Sequence, residues 1–136
     1  MSPWTQINPP SLADPVGYAN AVVSEGGRRV TLAGQTAMDE TGAIVCRGDI
    51  VGQADRAFRN LLTVLEAAGG EPTHLVRMRI YVVDVAAWRE KSGQIGKVYQ
   101  QYFGRWYPAM TLVQVVRLYD TGALVEVESD AVVPTS

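Results

Sequence analysis

The sequence predicts an α+β fold: a single domain over residues 1–136, with a mixed six-stranded sheet and two helices on one face, in the order β-β-β-α-β-α-β-β. Three observations predict it. Residues 51–68 and 86–103 repeat apolar side chains at spacings of three and four, the period of a helix with one buried face. Shorter apolar runs, bounded by turns rich in glycine and aspartate, alternate their side chains with the period of a strand. The last of these runs sets Glu126, Glu128 and Asp130 on one side and Val125, Val127, Ala131 and Val133 on the other. One sheet face therefore packs on a core and the other is left bare.

The elements follow in order. Ala19–Val23 and Arg29–Ala33 read as a hairpin closed by Ser24-Glu25-Gly26-Gly27, and Gly34-Gln35 breaks the second strand. A turn at Asp39-Glu40-Thr41-Gly42 leads into a short strand, Ala43–Val45. The first helix sets Ala54, Ala57, Phe58, Leu61, Leu62, Val64, Leu65 and Ala68 on its apolar stripe, with Gln53, Asp55, Arg56, Arg59 and Glu66 between them. Asp49 is placed to cap its start, and Gly69-Gly70 to stop it. Leu75–Asp84 is a strand with Val76, Met78, Ile80 and Val82 on one side and Arg77, Arg79, Tyr81 and Val83 on the other. Asp84 caps a second helix, about 86–103, whose stripe contains Trp88, Ile95, Val98, Tyr99, Tyr102 and Phe103. Gly93 and Gly96 weaken that helix by up to about 1 kcal/mol each relative to alanine, which points to close packing at those positions. Two strands from Met110 onward, joined by the turn Tyr119-Asp120-Thr121-Gly122, complete the chain.

Composition narrows the function. With 47% hydrophobic and 19% charged residues the chain has the balance of a globular domain, and 136 residues suit a single core. The net charge of −2 and the lack of any basic run speak against a nucleic-acid partner. No apolar run reaches the roughly 18 residues of a membrane span, and no signal-peptide pattern opens the sequence, so the expectation is a soluble cytoplasmic protein. One cysteine, Cys46, excludes an intrachain disulfide; one histidine, His74, leaves no Cys/His set for zinc. Neither metal nor cofactor is expected, and any Ser-His or Cys-His triad within the chain would have to use His74. That histidine lies in a helix-to-strand loop and reads as solvated. A bare sheet face carrying arginines, carboxylates and aromatic residues calls for cover, and oligomerisation supplies it.

Several segments resemble the Rid proteins, also called the YjgF or L-PSP family. The likeness is carried by Val30-Thr31-Leu32-Ala33-Gly34-Gln35, Asp39–Val45, Asn60–Gly69, Val76–Asp84, Tyr107-Pro108-Ala109 and Ala123–Glu128, in that order along nearly the whole chain. The resemblance implies a chorismate-mutase-like fold, a homotrimer, and small-molecule clefts between subunits. It also implies hydrolysis of reactive enamines and imines such as 2-aminoacrylate, with an arginine directly after the Pro-Ala pair gripping the substrate carboxylate. Here that position is Met110, and a thioether cannot replace a bidentate guanidinium. Other positions carry over individually. Tyr18 falls at the cleft edge, Gly34 where a backbone carbonyl orients the substrate nitrogen or water, and Glu126 where a carboxylate holds the attacking water. Leu112 stands where many members have cysteine, and Gly96 where some have asparagine. With Met110 they make a more apolar and slightly roomier cleft, implying a more hydrophobic ligand. Trp106 and Tyr107, beside the Pro-Ala pair, are candidates for its lining, and Arg79 for a replacement cation.

Structural readings stand beside these: Tyr18 as packing, Gly34 as a strand-end glycine, Met110 as wall, and Glu126 as an ion-pair partner of Arg77, Arg79 or Arg117. Three functions are compatible with the residues. The first is a deaminase-like hydrolase acting on an enamine or imine more apolar than 2-aminoacrylate, with Glu126 and Tyr18 catalytic. The second is a noncatalytic ligand-binding or regulatory trimer, favoured by Met110 and Leu112. The third is an endoribonuclease, which the acidic balance disfavours.

Overall fold

The chain order in the computed structural model, which describes residues 1–135, is β1 (Thr5–Ile7), β2 (Ala21–Val23), β3 (Arg28–Gln35), α1 (Ile50–Ala67), a 3₁₀ turn (Pro72–His74), β4 (Leu75–Val82), α2 (Val85–Glu90), α3 (Ser92–Phe103), β5 (Ala109–Gln114) and β6 (Val125–Val133). The α+β class and the mixed sheet are as expected. Four strands lie in the order β3-β6-β4-β5, antiparallel except for the parallel β4–β5 pair that α2 and α3 connect. The remaining two form a separate antiparallel ribbon, β1–β2. It is tied to the sheet through Ala19, which bridges to Ala109 and donates its N–H to the Pro108 carbonyl at 3.1 Å. The six strands are thus four plus two rather than one continuous sheet.

Three local expectations change. The hairpin between 19–23 and 29–33 does not form, because β2 pairs with the unanticipated β1 while β3 pairs with β6. Gly26 and Gly27 both adopt positive φ and turn the chain away. A Cβ on Gly27 would stand 2.6 Å from Val132 Cγ1, so β3 can lie this close to β6 only with glycine there. Ala43–Val45 is not a strand. The Asp39 carboxylate instead accepts the Thr41 and Ala43 N–H groups at 2.9 and 3.0 Å, and the loop closes with a single Met38–Ile44 bridge. Those hydrogen bonds, with the Thr41 hydroxyl first among them, hold the Asp39 pKa below its usual value. The second helix is broken at Lys91 (φ −101°, ψ 10°): α2 buries no residue fully, whereas α3 buries Ile95, Tyr99 and Phe103.

Both helix starts are capped as expected, with Asp49 accepting from Gly52 N at 3.0 Å and Asp84 from Ala87 N at 3.1 Å. The core between helices and sheet centres on Phe58, whose ring meets Tyr99 and Phe103 edge-on at 5.6 Å. Met78, Ile80, Val82, Val125 and Val127 close it from the sheet. A register shift between Leu75 and Arg77 turns Leu75, rather than Val76, into the core. Gln53 is the polar exception in that layer. Fully buried, it donates to the Gly122 carbonyl at 3.0 Å and accepts from Leu124 N at 2.7 Å, fixing the chain just before β6.

The opposite sheet face has no helix. Arg77, Arg79 and Tyr81 of β4 stand there with Glu126, Glu128 and Asp130 of β6, all half-buried. Among the described residues no helix is long and apolar enough to cross a membrane.

Candidate functional site

A cavity of about 650 Å³ opens on the helix side of the sheet, between α2, α3 and β5. Its walls are apolar. Ile80, Met110 and Leu112 come from the sheet, Phe58 from α1, Trp88 from α2, and Ile95 and Tyr99 from α3. Gly17 and Tyr18, on the connection between β1 and β2, form its rim. Met110 and Leu112 reach the cavity together because residues two apart on a strand share a face, and their register partners Met78 and Ile80 face the same way. Tyr107 stacks on Tyr99 at 5.1 Å with 13° between the rings, and its hydroxyl accepts from Gln100 Nε2 at 2.7 Å. The Tyr99 hydroxyl donates to the Trp106 carbonyl at 2.7 Å, and burial pushes its pKa upward. The predicted residues Tyr18, Tyr107, Met110 and Leu112 are therefore brought to one cavity. Trp88, read from the sequence as packing, lines it as well.

Gly34 and Glu126 form a second group, outside that cavity lining. A Cβ built on Gly34 would lie 2.1 Å from Glu126 Oε2, so the carboxylate rests directly over the Gly34 backbone. The β3 end is held in place by Asn60, whose amide donates to the Thr36 and Met38 carbonyls at 3.0 and 2.9 Å, and by the Thr36 hydroxyl, which donates to Asp120 at 3.0 Å. Burial raises the Glu126 pKa, and the nearby Asp120 and Glu128 carboxylates raise it further. No arginine pairs with Glu126 within 4.0 Å among the described residues; Arg79 sits 3.8 Å from Glu128 and 3.7 Å from Asp130 instead. Glu128 also accepts the Tyr81 hydroxyl, an interaction that raises the tyrosine pKa. An uncommitted carboxylate with a raised pKa is suited to taking a proton from water. Gly34→Ala is expected to displace that carboxylate and lower any Glu126-dependent turnover at least tenfold, which steady-state kinetics on the folded variant would measure.

These two groups face opposite sides of one sheet. Ile80 and Leu112 point into the cavity while Tyr81 and Glu126, register partners across β4 and β6, point to the bare face. One chain cannot bring Glu126 to Met110 through its own sheet. Two further candidates lie elsewhere. Arg79 is on the bare face with its two carboxylates, away from the cavity. Trp106 packs against the core and donates its indole N–H to the Leu75 carbonyl at 2.8 Å, so it is not part of the cavity wall. His74 is buried rather than solvated, accepting the Glu71 N–H at 3.1 Å. The sequence reading missed Asp120 and Tyr81 as neighbours of the Glu126 face, although the strand period already placed Tyr81 on the same side as the two arginines.

Comparison with known proteins adds the following. A family model described as Endoribonuclease L-PSP matches residues 11–133. The chain is 35% identical to Protein DfrA of Myxococcus xanthus over 115 residues, 85% of this chain and 84% of that protein. It is 31% identical to the 2-iminobutanoate/2-iminopropanoate deaminase of Dermatophagoides farinae over 134 residues, 98% of this chain and 99% of that one. Among solved structures, YyfB from Yersinia pestis, a protein of unknown function in the Rid family, is similar with a TM-score of 0.86 and 30% identity, over 96% of this chain and 98% of that chain.

Proposed function

The chain belongs to the endoribonuclease L-PSP family, the Rid proteins, and on that premise we propose that it is a deaminase of imines or enamines, hydrolysing a substrate more apolar than 2-aminoacrylate. The observation that carries this reading is the pairing of an apolar cavity at Met110 and Leu112 with an uncommitted carboxylate, Glu126, of raised pKa. Because the two lie on opposite sides of the sheet, the working cleft requires a second copy, and a homotrimer is the assembly that would set the Gly34–Glu126 surface of one subunit beside the cavity of the next. Val116 and Tyr119 near β6 and Val16 beside the cavity rim, between 89% and 98% exposed, supply apolar surface for that contact.

In this mechanism Glu126 takes a proton from a water that adds to the imine carbon, while the C=N electron pair moves to nitrogen and the protonated Glu126 returns that proton to it. In the carbinolamine Glu126 then takes the hydroxyl proton and delivers it to the amino nitrogen, the O–H electron pair forms the C=O bond, the C–N bond breaks with its pair on nitrogen, and the products are a carbonyl compound and ammonia. Tyr18 at the rim orients the substrate through its hydroxyl, and the Gly34 carbonyl orients nitrogen or water.

The test adds purified protein to imines generated in situ by an amino-acid oxidase from small and bulky apolar amino acids, and follows ammonia release. Faster hydrolysis of the bulky apolar imines is the expected result. Equal rates with and without protein for every imine would leave a noncatalytic ligand-binding trimer, which Met110 and Leu112 also suit.

A further inference from the structure

Thr36 lies just past Gly34 and the end of β3, and it is buried. Its hydroxyl donates to the Asp120 carboxylate at 3.0 Å. Asp120 stands on the connection from β5 to β6, upstream of Glu126. The hydrogen bond therefore joins the two segments that bring Gly34 and Glu126 together. Each of its ends is anchored on its own. Arg56 Nε donates to Asn60 Oδ1 at 3.0 Å, which leaves the Asn60 amide nitrogen to donate to the Thr36 and Met38 carbonyls. On the other side Ala123 N donates to the Asp120 carbonyl at 3.0 Å, and the buried Gln53 accepts from Leu124 N. All of these contacts lie within one chain, so the arrangement does not depend on a second copy.

The result is a half-buried carboxylate fixed near another. No cation lies within 4.0 Å of Asp120 or Glu126 among the described residues: Arg79 of β4 is engaged with Glu128 and Asp130, and neither Arg117 on the β5–β6 connection nor Arg47, whose guanidinium rests over Gly122, pairs with either. Tyr81 of β4 donates to Glu128, and β3 presents the uncharged Gly34 and Gln35. Among the charged neighbours of Glu126, Asp120 acts on it more strongly than Glu128 does. Two carboxylates held together without a counter-ion cost stability, a pattern typical of functional sites.

We propose that Asp120 is a positioning residue for the hydrolysis, held near Glu126 by the Thr36 hydroxyl so that Glu126 keeps the proton it takes from water until it hands that proton to nitrogen. The inference rests on the reading of Glu126 as the general base. The same proton has to travel from oxygen to nitrogen, so its carrier must hold it between the two steps. A neighbouring negative charge favours the protonated form of a carboxyl group, and a hydroxyl donating to a carboxylate is a strong, charge-assisted contact that keeps the charge in place.

The test uses the full chain with Asp120→Asn, Thr36→Val and Thr36→Ser. Asparagine still accepts the Thr36 hydroxyl but carries no charge, valine removes the hydroxyl and leaves the charge, and serine keeps both. One readout is a carbon-13 NMR titration of the Glu126 carboxyl, whose signal is identified by its loss in Glu126→Gln. The other is the pH profile of kcat/KM for the imine generated in situ from leucine. In Asp120→Asn the Glu126 midpoint and the rising limb of the profile are both expected to move to lower pH. Thr36→Val should follow in the same direction by less, and Thr36→Ser should stay with the parent. At neutral pH Asp120→Asn is expected to lower turnover by about three- to tenfold, less than the loss of about 10²-fold or more when a base itself is removed. Damage to the fold would lower the rate at every pH and leave the limb where it was. An unchanged Glu126 midpoint in Asp120→Asn would overturn the proposal, as would a parental midpoint in Thr36→Val or a displacement in Thr36→Ser as large as that in Thr36→Val. If no imine is hydrolysed but the midpoint moves as expected, the deaminase reading falls and the control of Glu126 by Thr36 and Asp120 stands. Hydrolysis with an unmoved midpoint gives the reverse.

Discussion

Replacing Glu126 by glutamine is expected to lower imine hydrolysis by about 10²- to 10⁴-fold, the usual contribution of a positioned general base, without unfolding the protein. Glutamine keeps the shape of the side chain over Gly34 but cannot accept the proton from water. The pH dependence carries a second signature. Burial, then Asp120 and Glu128, raise the Glu126 pKa above 4.5, so the active ionised form accumulates only at higher pH than for an ordinary glutamate. The rate should rise with pH through that displaced value, and this limb should vanish in the variant. Stability moves the other way. A carboxyl whose folded pKa is raised favours folding most when protonated, and this contribution is lost as pH climbs from the unfolded toward the folded value. Above both values the charge is a cost, so Glu126→Gln is expected to be as stable as the parent or more so at neutral pH. A pH profile of kcat/KM, recorded with urea midpoints for both proteins, measures all of this. Unchanged turnover in a folded variant would remove the general-base assignment.

The second large effect is a change of substrate. Met110→Arg places a guanidinium at the wall of the cavity, where the resemblance to Rid proteins puts the residue that grips a substrate carboxylate. A charge-assisted hydrogen-bonded contact to an ion contributes about 1.5–3 kcal/mol, so KM for 2-iminopropanoate is expected to fall by about 10- to 150-fold. The same substitution introduces a charge among Ile80, Leu112 and Trp88, and turnover of bulky apolar imines should fall. Competition between imines generated from alanine and from leucine would show the reversal directly. If 2-iminopropanoate is handled no better by the variant, then the missing guanidinium is not what separates this chain from carboxylate-binding members.

Much of this was legible before any coordinates. Helix α1, its Asp49 cap, strands β4 and β6 and the placement of Glu126, Glu128 and Asp130 on one face all follow from period and capping chemistry, which are local properties. Of the candidate residues, Tyr18, Met110 and Leu112 do share a cavity, and Gly34 does lie under Glu126. The misread pieces share a cause. The expected 19–23/29–33 hairpin and the strand at 43–45 were inferred from turn residues flanked by apolar runs, and such runs state that a segment extends but not which neighbour it pairs with.

The sequence by itself determined the alternation of faces, the helix boundaries near their caps, and the absence of residues for a zinc cluster, because each depends on chemistry within a few positions. Only the tertiary structure decided that β2 joins β1, that Trp106 turns into the core while Trp88 lines the cavity, and that Gly93 and Gly96 open onto space instead of packing. It also decided that Met110 and Glu126 face opposite sides of the sheet. Those outcomes depend on register and on what lies across from a residue, and contacts between segments far apart in the chain leave no period to read.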